Sequence, residues 1–151
     1  MPITLDSIAD IYVTALTAWR ENRGGHNDGM QSVICAIANR VAKHHSSFYA
    51  QCIQPAQFSS MTVQGPEAIL WPEIGDQWMA AALNMAAQAV DMELPDITQG
   101  ATLYYAPKGI KGSNKTFTKP DGTVVTFPQH WDPAKVIFTV EIEDQLFFKE
   151  K

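Results

Sequence analysis

The sequence has few cysteines, no block of basic residues and no long apolar run. Its two cysteines lack zinc-ligand spacing. Cys35 lies in a helical apolar pattern, which favours a buried free thiol, although a disulfide with Cys52 stays open. The net charge of -5 disfavours nucleic-acid binding through phosphate neutralisation. The longest strongly apolar segment, residues 77–90, is too short to span a bilayer.

The N-terminus also lacks the pattern of a secretory signal. Asp6 and Asp10 interrupt its apolar stretch, and no basic residue precedes it. We therefore expect a protein that is made in the cytoplasm. Its 151 residues, of which 46% are hydrophobic, suffice for an ordinary core and predict one domain over residues 1–151.

Helical periodicity marks residues 4–21, 28–43 and 73–92, with a short helix over 47–53. From residue 101 onward, β-branched and aromatic residues predict one hairpin over 116–127 and a second over 135–149. The order predicts an α+β fold, with helices first and small β-elements last. The side chains expected to face the core are Leu5, Ile8, Tyr12, Ala15, Leu16 and Trp19 in the first helix, and Trp78, Ala82, Met85 and Ala89 in the last.

Glu21 is the residue best placed for chemistry. It ends the first helical pattern, just before Gly24 and Gly25. Enzymes that cut sugar polymers often hold their proton-donating carboxylate at such a helix end, above a loop. Position alone favours a solvated surface glutamate, because Glu21 would lie opposite the Trp19 stripe. A catalytic role requires later loops to cover that face and raise the pKa of the carboxyl by partial burial.

Other polar segments give weaker signals. Gln57-Phe58-Ser59 fits either a turn with one buried phenyl ring or a loop that hydrogen-bonds sugars. Strand alternation places Thr102 and Tyr104 on one face, with Leu103 and Tyr105 on the other. The four histidines lack HExxH or comparable spacing, which disfavours a zinc hydrolase.

An ordered set of motifs runs over residues 8–149. The motifs are Arg20-Glu21-Asn22-Arg23-Gly24, Gly29-Met30-Gln31-Ser32-Val33, Ala38-Asn39-Arg40-Val41, Cys52, Gln57-Phe58-Ser59, residues 96–104, Trp131 and residues 142–148. This set resembles the cell wall hydrolase family that includes the spore-cortex-lytic enzymes, and this family is lysozyme-like in its catalytic half. The resemblance implies a lysozyme-like fold and a peptidoglycan-cutting activity.

The same resemblance implies roles for five residues. Glu21 would be the catalytic acid for the β-1,4 bond between N-acetylmuramic acid and N-acetylglucosamine, and Gln57, Ser59, Thr102 and Tyr104 would lie near the glycan. We expect peptidoglycan strands as the partner, a monomer, no metal, no cofactor, no nucleic acid and no stable membrane insertion. The family's usual residues are replaced at Asn22, Gly25, Leu103, Tyr105 and Gln145, the last three standing where histidines are common.

Two chemical outcomes stay open. A muramidase needs a second carboxylate, whereas a lytic transglycosylase needs only one acid. We favour the single-acid route, because no second acid lies in a motif. The acids that qualify by availability alone are Asp28, Glu67, Glu73, Asp76 and Asp96.

Two other function classes also stay open. A non-catalytic glycan-binding or virion-structural module on the same fold would use Tyr104, Tyr105 and Trp131 for stacking and would not need Glu21. A zinc amidase that cuts the peptide stem is the third class. For a lytic domain without an evident signal, we expect a phage or prophage endolysin that reaches the wall through a phage-encoded pore.

Overall fold

The computed structural model describes residues 3–22, 26–54, 58, 61 and 70–151. The chain divides into two compact units, Met1–Ile97 and Thr98–Lys151. Every described α-helix lies in the first unit and every described strand in the second. The predicted α+β class, with helices first and strands last, is therefore confirmed. Within the described part of the chain, no helix is both long and apolar enough to cross a membrane.

The first unit contains four described α-helices, close to the predicted bounds. They are α1 (Ile8–Glu21), α2 (Asn27–His44), α3 (Phe48–Ile53) and α4 (Gln77–Val90). Helix α4 begins four residues later than predicted, because the Asp76 side chain caps it by accepting a hydrogen bond from the Met79 amide at 2.9 Å.

Helix α1 packs against α2, α3 and α4, but only its second half is enclosed. The seven consecutive residues Thr14–Arg20 are all buried, so this half has no solvent-facing side. The prediction that Leu5, Ile8 and Tyr12 face the core is wrong. These side chains are exposed, Leu5 by 84%, because they lie at the end of the stripe that the other helices leave uncovered.

The prediction for the core face of helix α4 is confirmed for Ala82 and Ala89, whereas Met85 is half-buried. The buried residues of α4 are Met79, Ala82, Ala86 and Ala89. Trp78 lies on the flank of that face and is 40% exposed, so its assignment to the core is wrong.

Both cysteines are buried free thiols in the first unit. The Cys52 sulfur lies 3.9 Å from the Thr14 hydroxyl, and the Cys35 thiol donates to the Pro95 carbonyl at 3.3 Å. Burial raises the pKa of both, that of Cys35 to about 11. The favoured prediction of a buried free thiol at Cys35 is confirmed.

The second unit contains two antiparallel sheets. One has the order β1-β5-β4, and the other pairs β2 with β3. Both predicted hairpins are confirmed, and Glu143 takes the positive φ of 53° that the second turn requires. The buried hydrophobic core of the second unit contains Tyr105, Phe127, Leu146 and Phe148. The strands are β1 (Leu103–Tyr105), β2 (Lys115–Thr118), β3 (Val124–Phe127), β4 (Val136–Ile142) and β5 (Gln145–Glu150).

Candidate active site at the end of helix α1

Glu21 is the last residue of α1 and is half-buried. The backbone amide of the next residue, Asn22, donates to the Ala18 carbonyl at 3.0 Å and keeps the helix end regular. The Asn22 side-chain amide donates to the His26 carbonyl at 3.1 Å, just where α2 begins. Glu21 therefore ends a helix that is buried up to Arg20. The hydrogen bond from Asn22 to His26 joins this helix end to the start of α2.

Arg20 holds part of the α3–α4 connection against this helix end. Its side chain is only 5% exposed. Its Nε donates to the Leu70 carbonyl at 2.9 Å, and a terminal nitrogen donates to the Met61 sulfur at 3.5 Å. Burial lowers the pKa of the guanidinium. Arg20, the residue before Glu21, thus binds a later segment of the chain.

Two exposed indoles contact Arg20 and His26. The guanidinium carbon of Arg20 lies 4.9 Å from the centre of the Trp71 ring, and Trp71 is 63% exposed. The Trp78 ring lies 6.4 Å from the ring of His26, the residue that Asn22 contacts. A short chain of contacts therefore links each indole to a neighbour of Glu21 in sequence.

Sequence reasoning named neither tryptophan as a candidate site residue. The available signal for Trp71 was its position before Pro72, outside any helical or strand period, where a large aromatic has no predicted core to fill. Trp78 carried no such signal, because it sits in a regular helix.

The acids considered as a second catalytic group have varied surroundings. Asp76 caps α4, and an Asp96 oxygen accepts from the Asn39 amide at 3.0 Å. Asp28 is exposed in the first turn of α2, and Glu73 is exposed before α4. Glu67 lies outside the described residues.

The four predicted glycan contacts fall into two groups. Gln57 and Ser59 lie outside the described residues, whereas Phe58 between them is buried, with the Arg40 guanidinium carbon 6.0 Å from its ring centre. Thr102 and Tyr104 belong to the second unit. Thr102 is buried, and its amide donates to the Phe148 carbonyl at 3.0 Å.

The two tyrosines of β1 face opposite sides of the strand, as predicted. Tyr104 is half-buried and stacks on Phe147 at 5.3 Å between ring centres. Tyr105 is packed in the core, and its hydroxyl donates to the Thr126 carbonyl at 2.7 Å. Tyr105 therefore does not present its ring to a ligand, which corrects its place among the stacking residues of the glycan-binding alternative.

Among the residues that the structure describes, no three His, Cys, Asp or Glu side chains gather into a group that would hold a metal ion. Comparison with protein-family models, with curated proteins and with solved structures gives no match to this chain.

Proposed function

We propose that this protein cleaves the glycan strands of peptidoglycan at the β-1,4 bond after N-acetylmuramic acid, with Glu21 as the general acid. The observation that carries the proposal is that the half-buried residue Glu21 ends an enclosed helix, directly after Arg20, whose guanidinium carbon lies 4.9 Å from the centre of the Trp71 ring. The ordered motifs that resemble the spore-cortex-lytic type of cell wall hydrolase, with its lysozyme-like fold, support the same assignment.

The first chemical step uses Glu21 in its protonated form. The acid donates its proton to the glycosidic oxygen while the bond to the muramic acid C1 breaks, and positive charge develops on the sugar ring.

The second step is an intramolecular transfer. The Glu21 carboxylate accepts the proton of the muramic acid 6-hydroxyl, and the hydroxyl oxygen bonds to C1 to close a 1,6-anhydro ring. Glu21 ends the cycle protonated, so one acid suffices. We favour this route because no second acid lies in a sequence motif.

Trp71 and Trp78 would hold the sugar rings on either side of the cleaved bond. Pyranose rings carry apolar C–H faces, and an exposed indole offers a flat apolar surface to them. The Arg20 guanidinium under Trp71 fixes the plane of that ring. We expect Trp71→Ala to raise KM more than it lowers kcat, since stacking acts on the bound substrate and on the transition state alike.

The setting that we propose is a phage or prophage endolysin, which is made in the cytoplasm and reaches the wall through a pore. Fractionation of lysogenic cells tests this setting. The protein should stay in the cytoplasm until induction, and its presence in the periplasm of intact, uninduced cells would contradict the proposal.

The deciding experiment is mass spectrometry of the fragments released from purified peptidoglycan by the wild type, Glu21→Gln and Glu93→Gln. Glu93 is exposed in the same unit, so its variant repeats the chemical change away from the site. General acid catalysis contributes roughly 10²–10⁴-fold, and Glu21→Gln should lose at least that much rate while Glu93→Gln keeps it.

The products separate the alternatives. Anhydro-muramic ends that disappear in Glu21→Gln support the transglycosylase. Reducing muramic ends that disappear in the same variant indicate a muramidase with a second carboxylate. If the wild type releases nothing, the chain is a binding or structural module, and release that a chelator abolishes points to a zinc amidase.

A further inference from the structure

The first unit contains a pocket of about 340 Å³ between α2, the start of α3 and the end of α4. Among the residues that the structure describes, its walls are apolar except for Asn39 and Asp96. Small side chains leave the space open: Cys35 and Ala89 are buried in the wall, and Ala42 lines the pocket from an exposed position on α2. The pocket thus has the size and the apolar lining of a small-molecule site.

The segment that follows α4 supplies one wall, and three hydrogen bonds hold this segment against α2. The Gln31 side-chain amide and the Cys35 thiol donate to the Pro95 carbonyl at 2.9 and 3.3 Å. One turn further along α2, the Asn39 amide donates to an Asp96 carboxylate oxygen at 3.0 Å. Because the three α2 residues are four positions apart, they lie along one face of the helix. This wall is therefore in place before a ligand arrives, which lowers the ordering cost of binding.

Met92 adds an adaptable side chain to the same pocket. It follows the end of α4 with a positive φ of 60°, and its amide donates to the Ala89 carbonyl at 3.0 Å. Met92 lines the pocket although it is 76% exposed. A methionine thioether adapts to the outline of a ligand, and apolar surface that a ligand removes from water favours binding.

We propose that this pocket binds a small, uncharged, apolar molecule of about two fused rings. An apolar cavity of about 150 Å³ binds benzene, and this pocket has roughly twice that volume. The two polar side chains of the described walls, Asn39 and Asp96, are hydrogen-bonded to each other. A charged ligand would lose solvation against the apolar walls, which disfavours it. Glu21, Trp71 and Trp78 do not line this pocket, so the inference does not rest on the proposed function.

Titration of the whole protein with indole, an uncharged bicyclic molecule, tests the proposal. NMR of methyl-labelled methionines follows Met92, whose signal is identified by its loss in Met92→Leu. The Met92 methyl signal should shift saturably, with a dissociation constant of about 1 mM or tighter. Indole-2-carboxylate has the same rings and a negative charge, and it should bind about tenfold more weakly or worse. An unshifted Met92 signal, or equal affinity for the two compounds, would overturn the proposal.

Two variants locate the binding. Ala42→Phe adds a phenyl ring at the pocket, and Ala80→Phe makes the same change at an exposed position of α4 outside it. We expect Ala42→Phe to weaken indole binding about tenfold or more, and Ala80→Phe to leave it unchanged. Saturating indole should also raise the midpoint of thermal unfolding in the wild type and in Ala80→Phe, because it binds the folded chain.

The same thermal scans show whether the variants are folded. Ala42 is exposed, so the larger side chain does not have to enter the buried core. If Ala42→Phe does not fold, Ala42→Leu applies the same test with a smaller side chain. A folded Ala42 variant that binds indole as tightly as Ala80→Phe would show that indole binds elsewhere, and the proposal would fail.

Discussion

The contact between Arg20 and the segment around Trp71 gives a quantitative test of how the proposed site is built. Arg20→Met keeps much of the aliphatic stem but removes every donor. A hydrogen bond from a charged group contributes about 1.5–3 kcal/mol, and the bond to the Leu70 carbonyl has good geometry at 2.9 Å. A cation–π contact on an exposed ring adds about 0.5–1 kcal/mol. We expect a total loss of about 2–4 kcal/mol in the free energy of unfolding.

Urea unfolding followed by circular dichroism at the helical band measures this loss. The signal reports the first unit, because every described α-helix lies there. Lys43→Met, which removes an exposed cation from α2, is the control and should cost less than about 1 kcal/mol. If Arg20→Met costs no more than the control, Arg20 does not hold the segment as the structure describes.

A double-mutant cycle with Trp71→Ala isolates the ring contact from the hydrogen bond. The coupling energy should be about 0.5–1 kcal/mol, because Arg20 lies directly under the indole. The peptidoglycan assay on the same variants tests the link to function. Both single variants should raise KM. A coupling energy of zero would refute the reasoning that Arg20 fixes the plane of Trp71.

Three further predictions concern single contacts. Asp76→Asn keeps an acceptor for the Met79 amide and should preserve the rate of strand cleavage. Asp76→Ala should lower the free energy of unfolding in urea by about 1 kcal/mol. Loss of cleavage in Asp76→Asn would instead identify Asp76 as the second carboxylate. Tyr105→Phe removes the donor to the Thr126 carbonyl and should cost about 1–2 kcal/mol, so an unchanged free energy of unfolding would argue against that bond. Burial raises the pKa of Cys35 from its ordinary value of 9.0 to about 11. As the pH rises, the thiol therefore ionises in the unfolded chain before it does so in the folded one, and the free energy of unfolding should fall by about 1.4 kcal/mol per pH unit between those two values. Cys35→Ala should remove this contribution to the pH dependence, and an unchanged pH dependence would contradict the assignment.

Local signals predicted much of the secondary structure. The periodicity of α2 and the turn at residues 120–122 appear where the sequence places them, because helix faces and hairpin turns depend on neighbours within a few positions. The alternation of Tyr104 and Tyr105 on β1 follows from the same short-range geometry. The alternation did not determine which side of β1 is buried. The Tyr105 side joins the core because β1 pairs with the distant strand β5.

The sequence alone thus determined the α+β order, the two hairpins and Glu21 as the residue to test, all from patterns within a few residues or from the ordered motifs. Only the tertiary structure decided which half of α1 is enclosed, and that Arg20 meets Leu70, 50 positions away. It also placed Trp78 outside the core, where its ring meets His26. The physical reason is that burial depends on which distant elements cover a surface. The apolar stripe of a helix indicates which face can pack against other elements, and the tertiary packing decides how much of that face is covered.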